Sequence, residues 1–477
     1  MDGARASLEG GDGGGGDLAD RMVVAGLWNQ FDLEPGCYDP KMLFRFILSL
    51  ALCLAARGEV RKLTILHTND LHARVVPDDQ GRGGFAYVAA VLRAERQGCG
   101  HCVHLSAGDL VQGMPVSSIF RGVPVFEMAN RMGIDAFTLG NHEFDYGWGQ
   151  IARFRKAAKF PLLSANAVRG DGRTIADAPY KVLKVNGLRV GVVGLVMGNL
   201  VEGYLTPTTA GPVKARPVVE SVRAAARELN GRVDLVVALG HILPLEGSDI
   251  VKQAPEVAVV VEGHSHRGRD QMENVDGRVV VGLRGYGVEV GRLDLEVDTV
   301  TRRAFSARWT RIPVEAKKLT AAADVAKVVD KWERKVAEVV DKPVGEARRE
   351  FLQPDVRLLM EQAMRDEMGA DFSHMNRGGV RDKLPKGVIR ERELWNIMPF
   401  DNKMMRARMK GRQISEALRA GRAVEAEREY VVALGDYSVE NEAQRKELGI
   451  EGIAFERTDR GLRELLIDWV RKKKVLE

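Results

Sequence analysis

Short apolar runs typical of β-strands alternate with amphipathic helical patterns from residue 62 to about residue 312. This alternation favours an α/β layered domain. The predicted strands are residues 63–66, 103–105, 137–139, 190–195, 235–239 and 257–261. Turn residues follow each run, so the sequence predicts loops that meet at one edge of an open sheet.

Composition excludes several classes of protein. The chain has 477 residues, 45% of them hydrophobic and 29% charged, which is typical of a soluble globular protein. Lys and Arg number 71 against 66 Asp and Glu, and a net charge of +5 is too small to indicate nucleic-acid binding. The longest apolar stretch, residues 46–56, is shorter than the ~20 residues that cross a bilayer, so no transmembrane span is predicted.

This apolar stretch has the pattern of an export signal. It follows Lys41 and Arg45 and ends in small residues before Glu59. We therefore predict a signal peptide at residues 42–58 and an exported protein, periplasmic or extracellular. Residues 1–41, which include a Gly-rich segment, are interpreted as a spurious or disordered extension. The alternative is a disordered tail before a short core helix.

The chain has four cysteines, Cys37, Cys53, Cys99 and Cys102. The first two fall in the segments that we expect to be removed. Cys99 and Cys102 resemble a redox dithiol, but they precede a predicted strand, whereas such dithiols open a helix. A small structural disulfide or an idle thiol pair is therefore favoured.

A second block follows the first. Residues 321–340 repeat apolar residues at helical spacing, which predicts a connecting helix. We expect a first domain over residues 59–315, a linker helix over residues 316–342 and a smaller α/β domain over residues 343–477. In the second domain, a helix at residues 355–368 leads to a strand and a glycine-rich turn at Gly378 and Gly379.

Potential metal ligands appear within three residues of the end of five apolar runs. Because carboxyl ends of strands in an open α/β sheet lie at one edge, these side chains are expected to converge. Each motif alone is more often an ordinary loop histidine, so the prediction depends on their joint occurrence. The candidate ligands are Asp70, His72, Asp109, Asn141, His241, His264 and His266.

A mixture of carboxylate, imidazole and amide ligands suits a divalent cation such as zinc, manganese or iron. It is unlike a soft thiolate site or the all-oxygen site that calcium prefers. Seven ligands suffice for two divalent ions about 3.5 to 4 Å apart that share one carboxylate, an arrangement used in phosphoryl transfer. Such a pair would hold a bridging hydroxide in line with a phosphate ester. His142 follows a candidate ligand, and Asp145 is placed to orient its imidazole.

The motifs that carry these residues resemble those of calcineurin-like metallophosphatases, and more narrowly the exported 5′-nucleotidase and UDP-sugar hydrolase family. They read Asp70-Leu-His72, Gly108-Asp109, Gly140-Asn-His-Glu143, Gly240-His241 and Gly263-His-Ser-His266. The resemblance implies a four-layer α/β/β/α domain joined by a helix to a smaller α/β substrate-binding domain. It implies one ion on Asp70, His72 and His266, another on Asn141, His241 and His264, a bridging Asp109, and a catalytic dyad of His142 and Asp145.

The resemblance also implies substrate contacts in the second domain. Asn376 and Arg381 occupy its ligand-binding loop, and Phe400 and Tyr437 occupy the positions of two rings that sandwich a base. Ordinary core packing is the alternative for either ring. The Gly-Gly-Asp-Gly stretch of the family is replaced by residues 438–442, which leaves Glu440 or Glu442 as substitutes for its acidic contact.

The leading hypothesis is an exported dinuclear phosphoesterase that hydrolyses nucleoside 5′-phosphates, with nucleotide sugars and cyclic nucleotides as further substrates. Its partner is thus a small-molecule phosphate ester. One alternative keeps the chemistry but takes a non-nucleotide phosphate or sulfur ester, because the glycine-rich stretch is missing. Another is a catalytically silent extracytoplasmic protein that retains metals for structure, which the intact His142 and Asp145 argue against.

Overall fold

The computed structural model describes residues 60–477. The predictions for the extension at residues 1–41, the signal peptide at residues 42–58, and Cys37 and Cys53 lie outside the described residues. Within residues 60–477, the structure contains no helix that is both long and apolar enough to cross a membrane.

The N-terminal block, residues 60–315, alternates strands and helices as predicted. Its strands are β1 (Val60–Thr68), β2 (Cys102–Ser106), β3 (Ala136–Thr138), β4 (Leu162–Leu163), β5 (Ala167–Val168), β6 (Tyr180–Val185), β7 (Leu188–Val196), β8 (Lys214–Ala215), β9 (Leu235–His241), β10 (Val259–Gly263), β11 (Glu273–Val275), β12 (Arg278–Gly282), β13 (Glu289–Asp298) and β14 (Arg303–Pro313). Its α-helices are α1 (Phe85–Gln97), α2 (Pro115–Ile119), α3 (Val123–Ala129), α4 (Ile151–Ala157), α5 (Leu200–Tyr204), α6 (Pro207–Ala210), α7 (Val218–Leu229) and α8 (Pro244–Gln253).

Two six-stranded sheets form the centre of this block, in the orders β14-β13-β1-β2-β3-β4 and β11-β12-β10-β9-β7-β6. A core of aliphatic side chains, including Leu63, Val237 and Leu293, lies between the sheets. The outer face of the first sheet packs against α1, α3 and α4, and that of the second against α7 and α8. The predicted four-layer α/β/β/α architecture is confirmed.

The central strands are apolar throughout because both of their faces are covered. In β9 all seven residues are buried, and β10 is buried along its whole length. At the edge, β14 alternates between exposed and partly buried residues instead. The continuous apolar runs seen in the sequence therefore correspond to the strands at the centre of each sheet.

The connecting helix α9 spans Ala323–Val340. Its buried residues Val325, Val329, Val336 and Val340 join the core of the N-terminal block. On the same helix, Trp332 packs against Phe120, with ring centroids 4.9 Å apart. This helix is thus packed along the N-terminal block and is not a free tether.

The C-terminal block, residues 343–477, is a smaller α/β unit, as expected. Its strands are β15 (Pro343–Ala347), β16 (Phe372–His374), β17 (Gly387–Arg390), β18 (Lys403–Lys410), β19 (Glu429–Gly435), β20 (Glu456–Gly461) and β21 (Val475–Leu476). Its α-helices are α10 (Gln353–Met368), α11 (Glu391–Ile397), α12 (Glu416–Arg419), α13 (Asp436–Glu440), α14 (Glu442–Leu448) and α15 (Leu462–Lys473). The strands form two sheets, in the orders β17-β15-β21 and β16-β19-β18-β20.

The two blocks contact each other directly. Trp395 on α11 packs against the cores of both blocks. Lys383 pairs with Asp79 across the boundary at 2.7 Å, and α14 packs against α5. These contacts place the C-terminal block beside the loops that follow the strands of the first block.

Cys99 and Cys102 form a disulfide in the turn between α1 and β2, with Cα atoms 5.8 Å apart. This agrees with the first of the two alternatives left open by the sequence. The pair lies at the amino end of β2, whereas Asp109 follows the other end of that strand.

The inter-sheet core predicts a clear difference between two leucine substitutions. Leu293 is fully buried between the sheets, and Leu245 on α8 is 79% exposed. We expect Leu293→Ala to lower the free energy of unfolding by about 2–5 kcal/mol, because it leaves a cavity. Leu245→Ala should change it by less than about 0.5 kcal/mol. Urea denaturation of both variants measures this, and equal losses would contradict the described core.

Candidate functional site

The predicted ligands lie at the carboxyl ends of five strands. Asp70 and His72 follow β1, Asp109 follows β2, and Asn141 follows β3, all in the first sheet. His241 ends β9, and His264 and His266 follow β10, in the second sheet. Because β1, β2 and β3 are parallel neighbours, and β9 and β10 are parallel neighbours, their carboxyl ends lie together.

Several of these loops have an unusual backbone. Five of the seven residues have left-handed φ angles between 46° and 84°, namely Asp70, His72, Asp109, His264 and His266. Such conformations cost about 1–3 kcal/mol each in non-glycine residues and persist only where surrounding contacts enforce them. Here the enforcing contacts include hydrogen bonds from the amides of Asp70 and His72 to the carbonyls of Gly108 and Asp109, both 3.0 Å long.

One cluster contains Asp70, His72, Asp109 and His266. The Nε2 atoms of His72 and His266 are 2.8 Å apart. Asp70 Oδ1 lies 3.4 Å from His266 Nε2 and 3.8 Å from His72 Nε2. A cation with bonds of about 2.1 Å holds neighbouring donors roughly 3 to 3.5 Å apart, so this spacing suits a divalent ion.

A second cluster contains Asp109, His241 and His264, whose donor atoms lie within 4.8 Å of one another. His241 Nε2 is 3.0 Å from Asp109 Oδ2 and 3.2 Å from Asn141 Oδ1. The structure thus places Asn141 beside this cluster. Asp109 belongs to both clusters, which is the arrangement expected of a shared carboxylate.

The hydrogen bonds of Asp109 and His241 test whether a cation fits. Asp109 Oδ1 accepts the amide of His142 at 3.0 Å, while Oδ2 is buried and has no hydrogen-bond partner in the described part of the chain. His241 Nδ1 must donate to the carbonyl of Ala107, 2.8 Å away, because a carbonyl only accepts. In neutral His241 the lone pair of Nε2 therefore faces oxygen lone pairs, an arrangement that a cation between them would stabilise.

The buried carboxylates in the two clusters also favour a bound cation. Asp70 and Asp109 are at most 1% exposed, and an uncompensated buried carboxylate is strongly unfavourable. Their neighbours in the clusters are imidazoles, which bind divalent metals in their neutral form. The clustered Asp and His residues therefore suit divalent metal binding.

His142 and Asp145, to which the resemblance assigns a catalytic dyad, lie in contact. His142 Nδ1 lies 2.7 Å from Asp145 Oδ2, while Nε2 lies 3.9 Å from Asp109 Oδ2 and so faces the clusters. Burial acts to lower the pKa of His142, but the carboxylates of Asp145 and Asp109 outweigh it and raise this pKa above its usual value. The imidazole is thus oriented and biased toward its protonated form.

Glu143, to which the sequence assigned no role, organises the turns around Asp109. Its fully buried carboxylate accepts hydrogen bonds from the amides of Gly140, Asp109 and Leu110 at 2.6 to 3.1 Å. It therefore connects the turn after β2 to the turn after β3. Its place in the Gly-Asn-His-Glu motif was the available signal, but spacing alone cannot reveal which backbone amides a carboxylate will meet.

Arg381 comes from the C-terminal block and lies near the same clusters. Burial, followed by the charges of His266 and Arg381, lowers the pKa of His72 well below its usual value. The charge of Arg381 also acts on His142 and Asp145. Its Nε and Nη2 atoms are buried and have no hydrogen-bond partner among residues 60–477, so within this part of the chain the guanidinium has donors available for an anion.

Phe400 and Tyr437 are half-buried and lie near the His142 pair. The Phe400 ring is 6.1 Å from the His142 ring. Burial, with a contribution from the charge of Asp145, raises the pKa of Tyr437. Both rings are thus close to the N-terminal block's candidate site, although they belong to the C-terminal block.

One carboxylate, Asp436, ties the two aromatic segments together. Its Oδ1 accepts from Asn402 Nδ2 at 2.6 Å and from the amide of Tyr437 at 2.8 Å. Its Oδ2 accepts from Arg457 at 2.7 Å. Arg463, which donates to the carbonyl of Phe400 at 3.1 Å, fixes the other segment further. The sequence indicated none of these supports.

Three other residues, Asn376, Glu440 and Glu442, are candidates from the sequence for contacts to the substrate. Asn376 is half-buried at the start of a 3₁₀ turn that spans Arg377–Gly379. Glu440 forms an ion pair with Arg457, so its carboxylate is already engaged. Glu442 is exposed in the first turn of α14.

Comparison with known proteins agrees with this geometry. Residues 63–268 match the calcineurin-like phosphoesterase family, and residues 347–456 match the C-terminal domain of 5′-nucleotidases. Residues 63–268 thus form a calcineurin-like phosphoesterase domain, and residues 347–456 lie in a domain of the 5′-nucleotidase C-terminal family. At the level of the family, the predicted enzyme class, a metal-dependent phosphoester hydrolase, is confirmed.

Individual relatives show the extent of the likeness. A 5′-nucleotidase of Vibrio cholerae is 27% identical, over 78% of this chain and 79% of that protein. Endonuclease YhcR of Bacillus subtilis is 28% identical over 75% of this chain, but the match spans only 32% of that longer protein. The crystal structure of a 5′-nucleotidase precursor from Thermus thermophilus has the same fold, with a TM-score of 0.78 and 22% identity over 87% of this chain and 97% of that one.

The close approach of Gly140 to Asp109 yields a test with a matched control. A Cβ atom on Gly140 would lie 2.1 Å from Asp109 Oδ1, whereas one on Gly149 would meet no atom of the described residues within 4 Å. We expect Gly140→Ala to displace Asp109 and to weaken Mn²⁺ binding at least about 10-fold, since such placement sets metal affinity. Gly149→Ala should bind as the unsubstituted protein does. Isothermal titration with Mn²⁺ measures both, and equal affinities would refute the shared role of Asp109.

Proposed function

We propose that this protein is a two-metal phosphoesterase that hydrolyses nucleoside 5′-phosphates, with nucleotide sugars and cyclic nucleotides as further substrates to test. The observation that carries the proposal is the position of His142. One of its nitrogens contacts Asp145, the other faces the clusters, and its ring lies 6.1 Å from Phe400. A proton donor thus stands between a candidate metal site and a candidate base site.

The ligand sets are proposed as Asp70, His72 and His266 for one ion and Asn141, His241 and His264 for the other, with Asp109 shared. When bound, the two cations would polarise the phosphate oxygens and lower the pKa of the attacking water. Zinc, manganese and iron all suit these donors. The remaining steps depend on side chains of the chain itself.

His142 is proposed to act as the general acid. Its Nδ1–H donates to Asp145, which holds the ring in one orientation, and its protonated Nε2 gives its proton to the leaving 5′ oxygen. The carboxylates of Asp145 and Asp109 raise the pKa of His142 and so favour the protonated form that this role requires. This proton transfer helps the alkoxide to leave, because the oxygen gains a proton as its bond to phosphorus breaks.

Arg381 and Asn376 are proposed to bind the substrate's polar groups. Arg381 has buried donors that no residue between 60 and 477 pairs with, and its charge acts on the clusters, which suits a phosphate oxygen. Phe400 and Tyr437 are proposed to stack on the two faces of the base. Each stacking contact would contribute about 1–3 kcal/mol to binding.

Export and domain organisation are part of the proposal. We propose cleavage after a signal peptide at residues 42–58, with residues 1–41 as a preceding extension. The catalytic domain would span residues 59–315, the linker residues 316–342 and the substrate-binding domain residues 343–477. An exported enzyme of this kind would release nucleosides and phosphate outside the cytoplasm.

Replacement of His142 tests the chemistry. We expect His142→Ala to lower the kcat of phosphate release from AMP by about 10²–10⁴-fold, because the leaving oxygen loses its acid. Metal content should not change, since His142 is not among the proposed ligands. His101→Ala is the control, because His101 precedes β2 and lies at the opposite end of that strand from Asp109. Unchanged turnover in His142→Ala would contradict the proposed dyad. If the metal-loaded wild type hydrolyses no ester at all, the alternative of a catalytically silent binding protein is favoured.

Replacement of Phe400 tests the substrate class. Adenosine should inhibit phosphate release competitively, and Phe400→Ala should weaken that inhibition by about 5–100-fold, as expected for one lost stacking contact. Phe305→Ala is a matched control, since Phe305 is 58% exposed on the edge strand β14. Absence of inhibition by adenosine in the unsubstituted protein would instead favour the rival substrate, a non-nucleotide phosphate or sulfur ester.

A further inference from the structure

Tyr204 makes a direct contact with one proposed metal ligand. It is the last residue of α5, and its hydroxyl lies 2.9 Å from His264 Nε2. The two rings meet edge to face, with centroids 4.9 Å apart and planes at 87°. His264 in turn belongs to the cluster with Asp109 and His241. Nothing in the metal-binding motifs indicates this tyrosine.

The contact has the form of a support for a metal-binding histidine. Such a histidine binds the ion through one nitrogen and donates its other N–H to a fixed acceptor. His241 already follows this pattern, with the carbonyl of Ala107 as its acceptor at 2.8 Å. If the Tyr204 oxygen accepts the Nε2–H of His264, the lone pair of Nδ1 is left free for an ion. The opposite direction of this hydrogen bond would put the proton on Nδ1 and block it.

Asn441 of the C-terminal block holds the backbone on both sides of Tyr204. Its side chain is fully buried, and Nδ2 donates to the carbonyls of Glu202 and Leu205 at 3.3 and 2.9 Å. Its Oδ1 accepts the amide of Gln444 at 3.0 Å and so caps α14. All of its polar groups are therefore used. The contact lies in the segment that replaces the family's glycine-rich stretch.

We propose that Tyr204 is a positioning residue for the ion held by Asn141, His241 and His264, and that Asn441 couples this ion to the docking of the C-terminal block. The inference rests on the proposed dinuclear site. When Asn441 is in place, the turn around Tyr204 is fixed and the hydroxyl stays on His264. When the block moves away, the two carbonyls lose their donor and the turn is released.

This coupling is reciprocal. If docking of the C-terminal block strengthens binding of the ion, then the ion must strengthen docking by the same factor. The substrate-binding block would therefore dock most firmly on a chain whose second metal site is filled. Substrate binding and metal loading would become linked although no residue belongs to both sites.

The first experiment compares Tyr204→Phe with Tyr180→Phe in the full chain. Tyr180 lies on β6, and its hydroxyl has a 3.4 Å contact with Arg232. Equilibrium dialysis against Mn²⁺, without substrate, should show that Tyr204→Phe lowers the affinity for one of the two ions by about 10–100-fold. The affinity for the other ion should not change. Tyr180→Phe should match the wild type. Wild-type affinity for both ions in Tyr204→Phe would overturn the proposal.

Thermal unfolding separates positioning from a merely structural role. If Tyr204 positions a metal ligand, Tyr204→Phe should unfold near the wild-type temperature in the absence of metal. It should gain less stability than the wild type does when Mn²⁺ is added. An equal loss of stability with and without metal would overturn the positioning role. This readout does not depend on catalysis.

The second experiment tests the coupling through Asn441→Ser. Serine keeps an oxygen that can cap α14 but removes the amide donor to the Glu202 and Leu205 carbonyls. We expect Asn441→Ser to lower the affinity for the same ion by a smaller factor than Tyr204→Phe does. The double variant should bind this ion no more weakly than Tyr204→Phe alone, because both substitutions act through one contact. Additive losses would overturn the coupling.

Failure of the proposed function would look different. Binding of fewer than two ions by the wild type would overturn the dinuclear site and the inference with it. Two ions without AMP hydrolysis would overturn the nucleotidase activity alone, because dialysis requires no turnover.

Discussion

Two carboxylates, Asp70 and Asp109, lie almost completely buried where the ends of two sheets meet. Around them, imidazole nitrogens and an amide oxygen converge to within 2.8 to 3.9 Å. Bringing so many acceptors together is unfavourable without positive charge between them. The fold imposes this arrangement because parallel strands from both sheets end at one place, and the surrounding loops then hold the side chains with backbone hydrogen bonds.

The rest of the candidate site is arranged around that centre. His142 faces it from the turn after β3, and Glu143 fixes the same turn to that of Asp109. From the C-terminal block, Arg381 directs its charge toward the clusters and Phe400 approaches His142. The candidate site therefore draws residues from both blocks, and the contacts of Trp395, Lys383 and Asn441 join these blocks.

Much of the fold and of the metal clusters could be predicted from the sequence. The central strands are covered on both faces and therefore appear as continuous apolar runs, and His241 or Asp70 can be recognised because they stand where such runs end. Supports such as Glu143, Asp436, Tyr204 and Asn441 could not be found in this way. Their partners are backbone groups or side chains distant in sequence, so each contact depends on how loops pack and not on local periodicity.

The left-handed backbone of the loops that carry the candidate ligands has a consequence for the stability of the folded protein. Five residues there adopt φ angles that are intrinsically unfavourable. An ion that binds only the folded form offsets this cost by mass action, and a chain deprived of it loses that contribution. Without the ion, these loops keep their unfavourable backbone with less to offset it. Metal would thus contribute to the stability of the folded chain as well as to its chemistry.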